Sequence, residues 1–172
     1  TEWDYALSNV MSPGCSYYHV DEALRGIFLS QQSWTLPPRK RIKLISTGCS
    51  SYWKGPDMLI KTARILKSLN LDFEWNVIGG MRASTIKVVE RVEGISFNDC
   101  NVNFLGFKTP IELIELLKDS NIYVHTAYIE NSPNSICEAQ ILGLPIVSTN
   151  VGGISTLIDN KVDGLLVPSN DP

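Results

Sequence analysis

No stretch of this chain reaches the roughly 18 consecutive apolar residues that a membrane span needs, and no signal-peptide pattern occurs in it. Its four cysteines, Cys15, Cys49, Cys100 and Cys137, form no Cys-x-x-Cys pair, and none stands at metal-ligand spacing from a histidine. That excludes the common zinc and dithiol motifs and leaves reduced thiols of a cytoplasmic protein as the expectation. Neither sign of charge dominates: 15 basic and 18 acidic residues give a net charge of −3. Such a chain carries no broad basic footprint for nucleic acid, although backbone amides with one or two cations can still bind an anion locally. Internal repeats and low-complexity tracts are absent. Also missing are a Gly-x-Gly-x-x-Gly after the first strand, a Walker-type Gly-x-x-x-x-Gly-Lys-Ser/Thr and a nucleophile elbow with Ser/His/Asp order. These absences argue against a dinucleotide enzyme, an ATPase and a serine hydrolase.

What the chain does have is enough apolar material, 44% of 172 residues, for one domain with a sizeable core. It opens at Thr1 and closes on a turn-like Ser-Asn-Asp-Pro, which suggests a fragment of a longer protein. Residues 1–29 are mixed: a short helix over Asp4–Met11, a strand over Cys15–Val20 and a helix capped by Asp21 running to Leu29 are the expectations. Ser30–Arg41 is polar, carries Pro37-Pro38 and ends in Arg39-Lys40-Arg41, the composition of a linker with a solvated basic hinge.

From Arg41 onward strand and helix alternate. Strands are expected over Ile42–Thr47, Phe73–Ile78, Val102–Leu105, Ile122–His125, Pro145–Ser148 and Gly164–Val167. Helices are expected over Pro56–Leu69, Ser84–Val92, Pro110–Lys118 and Asn134–Leu142, with a short one over Gly153–Ile158. Short apolar strands alternating with helices signify a Rossmann-like, doubly wound α/β parallel sheet. Right-handed crossovers favour six strands in order 3-2-1-4-5-6. Ligands of such sheets bind beyond the carboxyl ends of the first and fourth strands, where the winding reverses. Two loops must line that crevice: Gly48–Gly55 and Ala127–Pro133.

The second loop leads into a helix. Pro133 suits its first turn, and Ser132 or Asn134 could cap it. The free amides of that turn, with the helix dipole, form an anion site; an ordinary capped helix explains the same residues. Glu130 and Glu138 stand eight positions apart, one in the loop and one a turn into the helix. Carboxylates suit vicinal hydroxyls of a ribose or sugar, and a solvated glutamate with a dipole-friendly one remains the plainer alternative. The first loop supplies Lys54, which can reach a phosphate, and Gly55, which lets the backbone come close. Tyr52 and Trp53 read as packing or interface residues, and His125 as a satisfied core histidine.

Several motifs recur in register with a known family. Lys54-Gly55-Pro56-Asp57-Met58-Leu59-Ile60-Lys61-Thr62-Ala63 resembles the Lys-Gly … Leu-Ile … Ala segment of retaining, family 4 type glycosyltransferases, and so does Val102-Asn103-Phe104-Leu105-Gly106. The most specific match runs from Glu130-Asn131-Ser132-Pro133-Asn134-Ser135-Ile136-Cys137-Glu138-Ala139 through Gly143-Leu144-Pro145-Ile146-Val147-Ser148-Thr149 to Gly152-Gly153. It resembles that family's paired-glutamate motif, Gly-x-Pro-Val strand and Gly-Gly turn, and the whole likeness covers roughly Ile42 to Pro172.

The resemblance implies one half of a GT-B architecture. Residues 1–40 would be the tail of an N-terminal domain and the interdomain linker, and 41–172 a C-terminal nucleotide-sugar-binding domain. Glu130 would contact the donor sugar and stabilise its transition state, with Lys54 as the other catalytic candidate. Glu138 would bind the ribose. Amides around Asn134 and Ser135, next to Ser132 and Pro133 and together with Lys54 and Gly55, would take the distal phosphate, and Gly106 and Phe107 would flank the base. No metal or cofactor is expected, because cation and helix dipole serve instead. The acceptor, a sugar or glycolipid, would come through the other domain, and the full-length protein would be cytoplasmic, with association at the inner membrane surface. The family's usual arginine five residues before the lysine is Cys49 here. Two other functions fit the same plan: a sugar-nucleotide epimerase, and a non-catalytic nucleotide- or sugar-binding module.

Overall fold

The computed structural model describes every residue except Asp21, Glu22 and Arg39. Six strands form one sheet: β1 (Ile42–Thr47), β2 (Phe73–Ile78), β3 (Val102–Gly106), β4 (Ile122–His125), β5 (Ile146–Thr149) and β6 (Leu165–Val167). They lie in the order β3-β2-β1-β4-β5-β6, and all pairs are parallel. The expected order is therefore observed, with the reversal of winding between β1 and β4.

Helices α3 (Pro56–Ser68), α4 (Ala83–Glu93), α5 (Pro110–Lys118) and α6 (Asn134–Leu142) connect the strands. Each has local reasons for its bounds. Pro56 opens α3 behind a left-handed Gly55. Thr109 and Glu112 form a capping box at α5. Gly94 and Gly143 end α4 and α6 in the left-handed conformation. The two faces of the sheet bury separate cores. Neighbouring β1 residues show the alternation: Leu44 packs with Leu59, Ile60, Ala63, Trp75 and Val89, while Ile45 packs with Leu113, Leu117, Ile136 and Leu142. Burying each such side chain contributes about 1.5–3 kcal/mol.

The opening segment departs from expectation. Helix α1 spans Glu2–Met11, starting earlier than expected because the Thr1 hydroxyl accepts from Asp4 N–H. Cys15–Val20 is not a strand. A turn at Pro13-Gly14 sends the chain back, the Tyr17 hydroxyl donates to the Ser8 and Ser12 carbonyls, and its ring meets Tyr5 edge-on. The helix expected to run from Asp21 is only the turn α2 (Gly26–Leu29), entered from Arg25; Asp21 itself lies outside the described residues. Phe28 of α2 is fully buried against the α5–α6 core.

The linker is pinned as well: Trp34 N–H donates to the Leu142 carbonyl (2.6 Å) and its indole to the Ser120 carbonyl (2.8 Å). Arg41 and Lys40 stay exposed, as expected of a solvated hinge, and Arg41 is tethered there by Asp72, Glu74 and the Phe73 carbonyl. Residues expected as a helix over Gly153–Ile158 form a single 3-10 turn at Ile154–Thr156.

Candidate functional site

The loops after β1 and β4 are stitched together at the carboxyl end of the sheet. The Thr126 hydroxyl donates to the Lys54 carbonyl (3.0 Å), and Tyr128 N–H to the Trp53 carbonyl (2.8 Å). Gly55, at φ +69°, is required here twice over: the backbone is left-handed, and a Cβ would lie 1.9 Å from the Thr126 carbonyl oxygen. The loop after β4 is cradled from below in the same way. A Cβ on Gly152 would lie 1.8 Å from the Glu130 carbonyl oxygen, and one on Gly153 2.4 Å from that of Asn131.

This framework sets the Lys54 ammonium directly on Glu130 Oε2. Asn131 N–H donates to the other carboxylate oxygen (3.3 Å). His125 Nε2 faces the same Oε2 at 3.4 Å. Burial pushes the Glu130 carboxyl up, but the facing His125 and the Lys54 ion pair pull it down further, to about 2. Glu130 is therefore a fixed, ionised carboxylate whose side chain is 13% exposed.

His125 corrects the sequence reading. It is buried, at 6% exposure, but is no satisfied core histidine: its Nε2 has no hydrogen-bond partner and sits against the carboxylate at a charge-contact distance. Its ring stacks on Tyr123, whose hydroxyl shares a hydrogen bond with Thr47 (2.8 Å). Burial raises the Tyr123 phenol to about 12, although contacts with Ser135 and Thr47 oppose it. Burial likewise raises the Cys49 thiol to about 12 against the pull of Lys54, so Cys49 is a neutral group beside the ion pair.

Helix α6 begins after Pro133, which is its cap residue. Neither Ser132 nor Asn134 caps it, contrary to expectation, so the amides of Asn134 and Ser135 carry no side-chain cap and are available to an anion. Glu138 lies one turn in, buried, and is not open to the crevice. Arg25 clamps it with two hydrogen bonds, Nε to Oε1 (2.7 Å) and Nη2 to Oε2 (2.8 Å), while its guanidinium stacks on Phe28. Nothing local announces that pair, which joins residues 113 positions apart.

The rim beyond β2 and β3 is different again. Gly106 turns the chain at φ +68°, and Phe107 projects into solvent at 86% exposure. Phe107 lines a hollow of about 510 Å³ with Tyr52, Trp53, Gly80 and Arg82. Tyr52 and Trp53 are thus half-exposed walls of a pocket rather than packing residues. A second cleft, about 890 Å³, runs between the opening segment and the β4–α6 loop, lined in part by Glu2, His19, Asn131 and Ser132. The structure therefore brings Lys54, Gly55 and Glu130 together beside the start of α6, sets Gly106 and Phe107 on the neighbouring rim, and turns Glu138 to Arg25. Sequence reasoning missed His125, whose signal was its place at the end of β4, and Arg25. Among the described residues no group of three His, Cys, Asp or Glu side chains could hold a metal ion, and no helix is long and apolar enough to cross a membrane.

Comparison with known proteins agrees with this architecture. Residues 31–172 match the family described as glycosyl transferases group 1. The chain is 30% identical over 137 residues to the amylovoran biosynthesis glycosyltransferase AmsK of Erwinia amylovora, covering 76% of this chain and 33% of that protein. It is 27% identical over 161 residues to the D-inositol 3-phosphate glycosyltransferase of an Arthrobacter species, covering 87% and 38%. It thus spans about a third of the length of these curated relatives. Among solved structures, the lipopolysaccharide outer core galactosyltransferase WaaB superposes with a TM-score of 0.69 over 95% of this chain and 46% of that one, at 18% identity. Anabaena HepE in complex with UDP and glucose superposes with a TM-score of 0.62 over 76% and 35%, at 23% identity.

Proposed function

The chain belongs to the glycosyl transferases group 1 family, and from that premise we propose that it is the nucleotide-sugar-binding half of a retaining glycosyltransferase. The observation that carries this reading is the contact of Lys54 with Glu130 beside the uncapped first turn of α6. A cation, uncapped amides and a carboxylate then converge on one place.

A nucleoside diphosphate sugar would lay its phosphates between the α6 amides and Lys54, which leaves Glu130 to do so. Glu130 would then face the sugar ring as an ionised carboxylate and oppose the positive charge that develops at the anomeric carbon. The fixed position of that charge is the point: Gly152 and Gly153 hold the Glu130 backbone, so little reorganisation is needed as the glycosidic bond lengthens. Phe107 and Gly106 would flank the base. Glu138 would bind the ribose only after the Arg25 clamp loosens, which makes Arg25 a competitor for that carboxylate. The departing diphosphate is neutralised by a lysine and backbone amides, with no metal assigned a part. Cys49 contributes no charge, so the clamp rests on one cation.

Residues 1–40 would belong to the tail of the other domain and the linker, and the acceptor, a sugar or glycolipid, would enter from that side. The complete enzyme would be cytoplasmic and could meet its acceptor at the inner membrane surface. Alignment of acceptor against donor is worth about 7–11 kcal/mol of barrier. The chain by itself would therefore transfer no sugar, while the complete protein would, with the anomeric configuration retained.

The test is calorimetric titration of this chain with UDP, GDP, dTDP and ADP and with the matching monophosphates and nucleosides. One diphosphate should bind more tightly than its monophosphate and nucleoside, and Lys54→Ala should remove most of that preference. Equal response to diphosphate and nucleoside for every base, or acceptor-dependent turnover by this chain alone, would sink the reading. In the complete protein, Glu130→Gln should lower turnover more than donor affinity.

A further inference from the structure

One group at the site has no task in the scheme above. His125 Nε2 is a buried nitrogen without a hydrogen-bond partner, and it faces the same carboxylate oxygen that Lys54 holds. Two basic nitrogens on one carboxylate oxygen are redundant while the lysine is in place. The redundancy ends if a diphosphate draws Lys54 away, as the donor reading requires. Glu130 would then be a largely buried carboxylate stripped of its cation, a costly state unless a proton arrives.

The titratable groups around this carboxylate limit where that proton can go. From the loop after β1 comes Cys49 and from β4 comes Tyr123, both held neutral by burial and unable to become positive. β5 offers only Ser148, opposite His125 in the sheet. Lys54 ends a 3-10 turn, Tyr52–Lys54, in the loop after β1 and is already committed to Glu130. That leaves Glu130 itself and His125, and imidazole is the side chain suited to gaining a proton near neutral pH.

We propose that His125 is the reserve cation of Glu130: when diphosphate binding takes Lys54 off the carboxylate, the His125 imidazole takes up one proton from solvent and replaces it, its Nε2 facing the carboxylate. No bond between heavy atoms forms or breaks; one proton moves from bulk water to the imidazole. Glu130 thereby remains ionised beneath the sugar with Lys54 occupied elsewhere. His125 acts through Glu130 and is a positioning residue. Because binding consumes a proton, diphosphate affinity should fall as pH rises above neutrality. This inference rests on the donor reading, and its test keeps the two apart.

This chain is titrated with UDP, GDP, dTDP and ADP at pH 7.5 in two buffers of different ionisation enthalpy. The wild type should take up protons as diphosphate binds. His125→Gln should take up almost none and bind several-fold more weakly. In parallel, the ring Cε1–H signal of His125 is followed by NMR. The chain has two histidines, so His19→Gln assigns the spectrum. The His125 signal should move to its imidazolium position as diphosphate is added, a readout that stands even if His125→Gln fails to fold. Binding without proton uptake and with an unmoved His125 signal overturns the proposal while leaving the donor reading intact. Uptake that persists in His125→Gln assigns the proton to Glu130 and also overturns it. Failure of every diphosphate to bind removes the donor reading and this inference with it.

Discussion

At the β1–β4 seam the backbone of Gly55 already lies against the Thr126 carbonyl and Lys54 already rests on Glu130; at the β2–β3 rim Phe107 stands 86% exposed and Trp53 is half in solvent. The seam is closed, polar and held by glycines that admit no side chain. The rim is aromatic and open. The contrast separates two demands on the proposed nucleotide site. Charge must be fixed in advance, because reorganising it costs energy at the moment of reaction. Stacking surfaces need only be present, because a planar ligand completes them on arrival.

Breaking the seam should have the largest effect. Gly55→Ala meets both a left-handed backbone and a carbonyl oxygen at 1.9 Å, whereas Gly94, at a similar φ of +68°, has open space where its Cβ would go. Urea unfolding should show a loss of about 2–4 kcal/mol for Gly55→Ala and about 1 kcal/mol for Gly94→Ala. Equal losses would mean that the close approach to Thr126 contributes nothing.

The next effect is smaller and depends on pH. The folded Glu130 carboxyl lies at about 2, below its ordinary value. Its contribution is therefore present above the unfolded carboxyl value near ~4.3 and is lost as pH falls through the folded one. Glu130→Gln should be less stable than wild type at pH 6, and the gap should narrow as pH drops from about 4.3 toward 2. Thermal melts that stay parallel over that window would show the ion pair to be energetically idle.

The rim should give the smallest change in stability. Phe107→Ala should leave the unfolding free energy within about 0.5 kcal/mol, since it removes an exposed ring. It should still weaken binding of the accepted nucleoside diphosphate about tenfold, because the proposed flank of the base is gone. A large loss of stability, or unchanged affinity, would erase the distinction between seam and rim.

The seam was legible in the sequence to the extent that its logic is local. Alternating apolar strands and helices gave the sheet order, and the order put Lys54 and Glu130 in the two loops that meet at the reversal. The rest depended on contacts that no local pattern encodes. Arg25 pairs with Glu138 across 113 positions, a contact that no spacing along the chain announces. His125 looked like any histidine ending a buried strand until Glu130 was placed 3.4 Å from it. Ser132 and Asn134 had the right chemistry to cap α6, yet Pro133 holds the cap position. Cys15–Val20 had strand-like residues, but Tyr17 found hydrogen-bond acceptors at the end of α1 instead of a neighbouring strand.

Phe28 lies ahead of the linker and yet is fully sealed within the α5–α6 core, beside an arginine that clamps α6. In modular terms, the unit that could be exchanged between related enzymes does not begin where the sheet begins. A hybrid joined at residue 41 would receive a β-sheet with a phenyl-sized socket open in its side, to be filled by whatever the donor of the other half supplies. A hybrid joined ahead of Arg25 would carry its own plug and its own clamp. The edge of the packed unit is thus set by one aromatic ring, some fourteen residues upstream of the first strand.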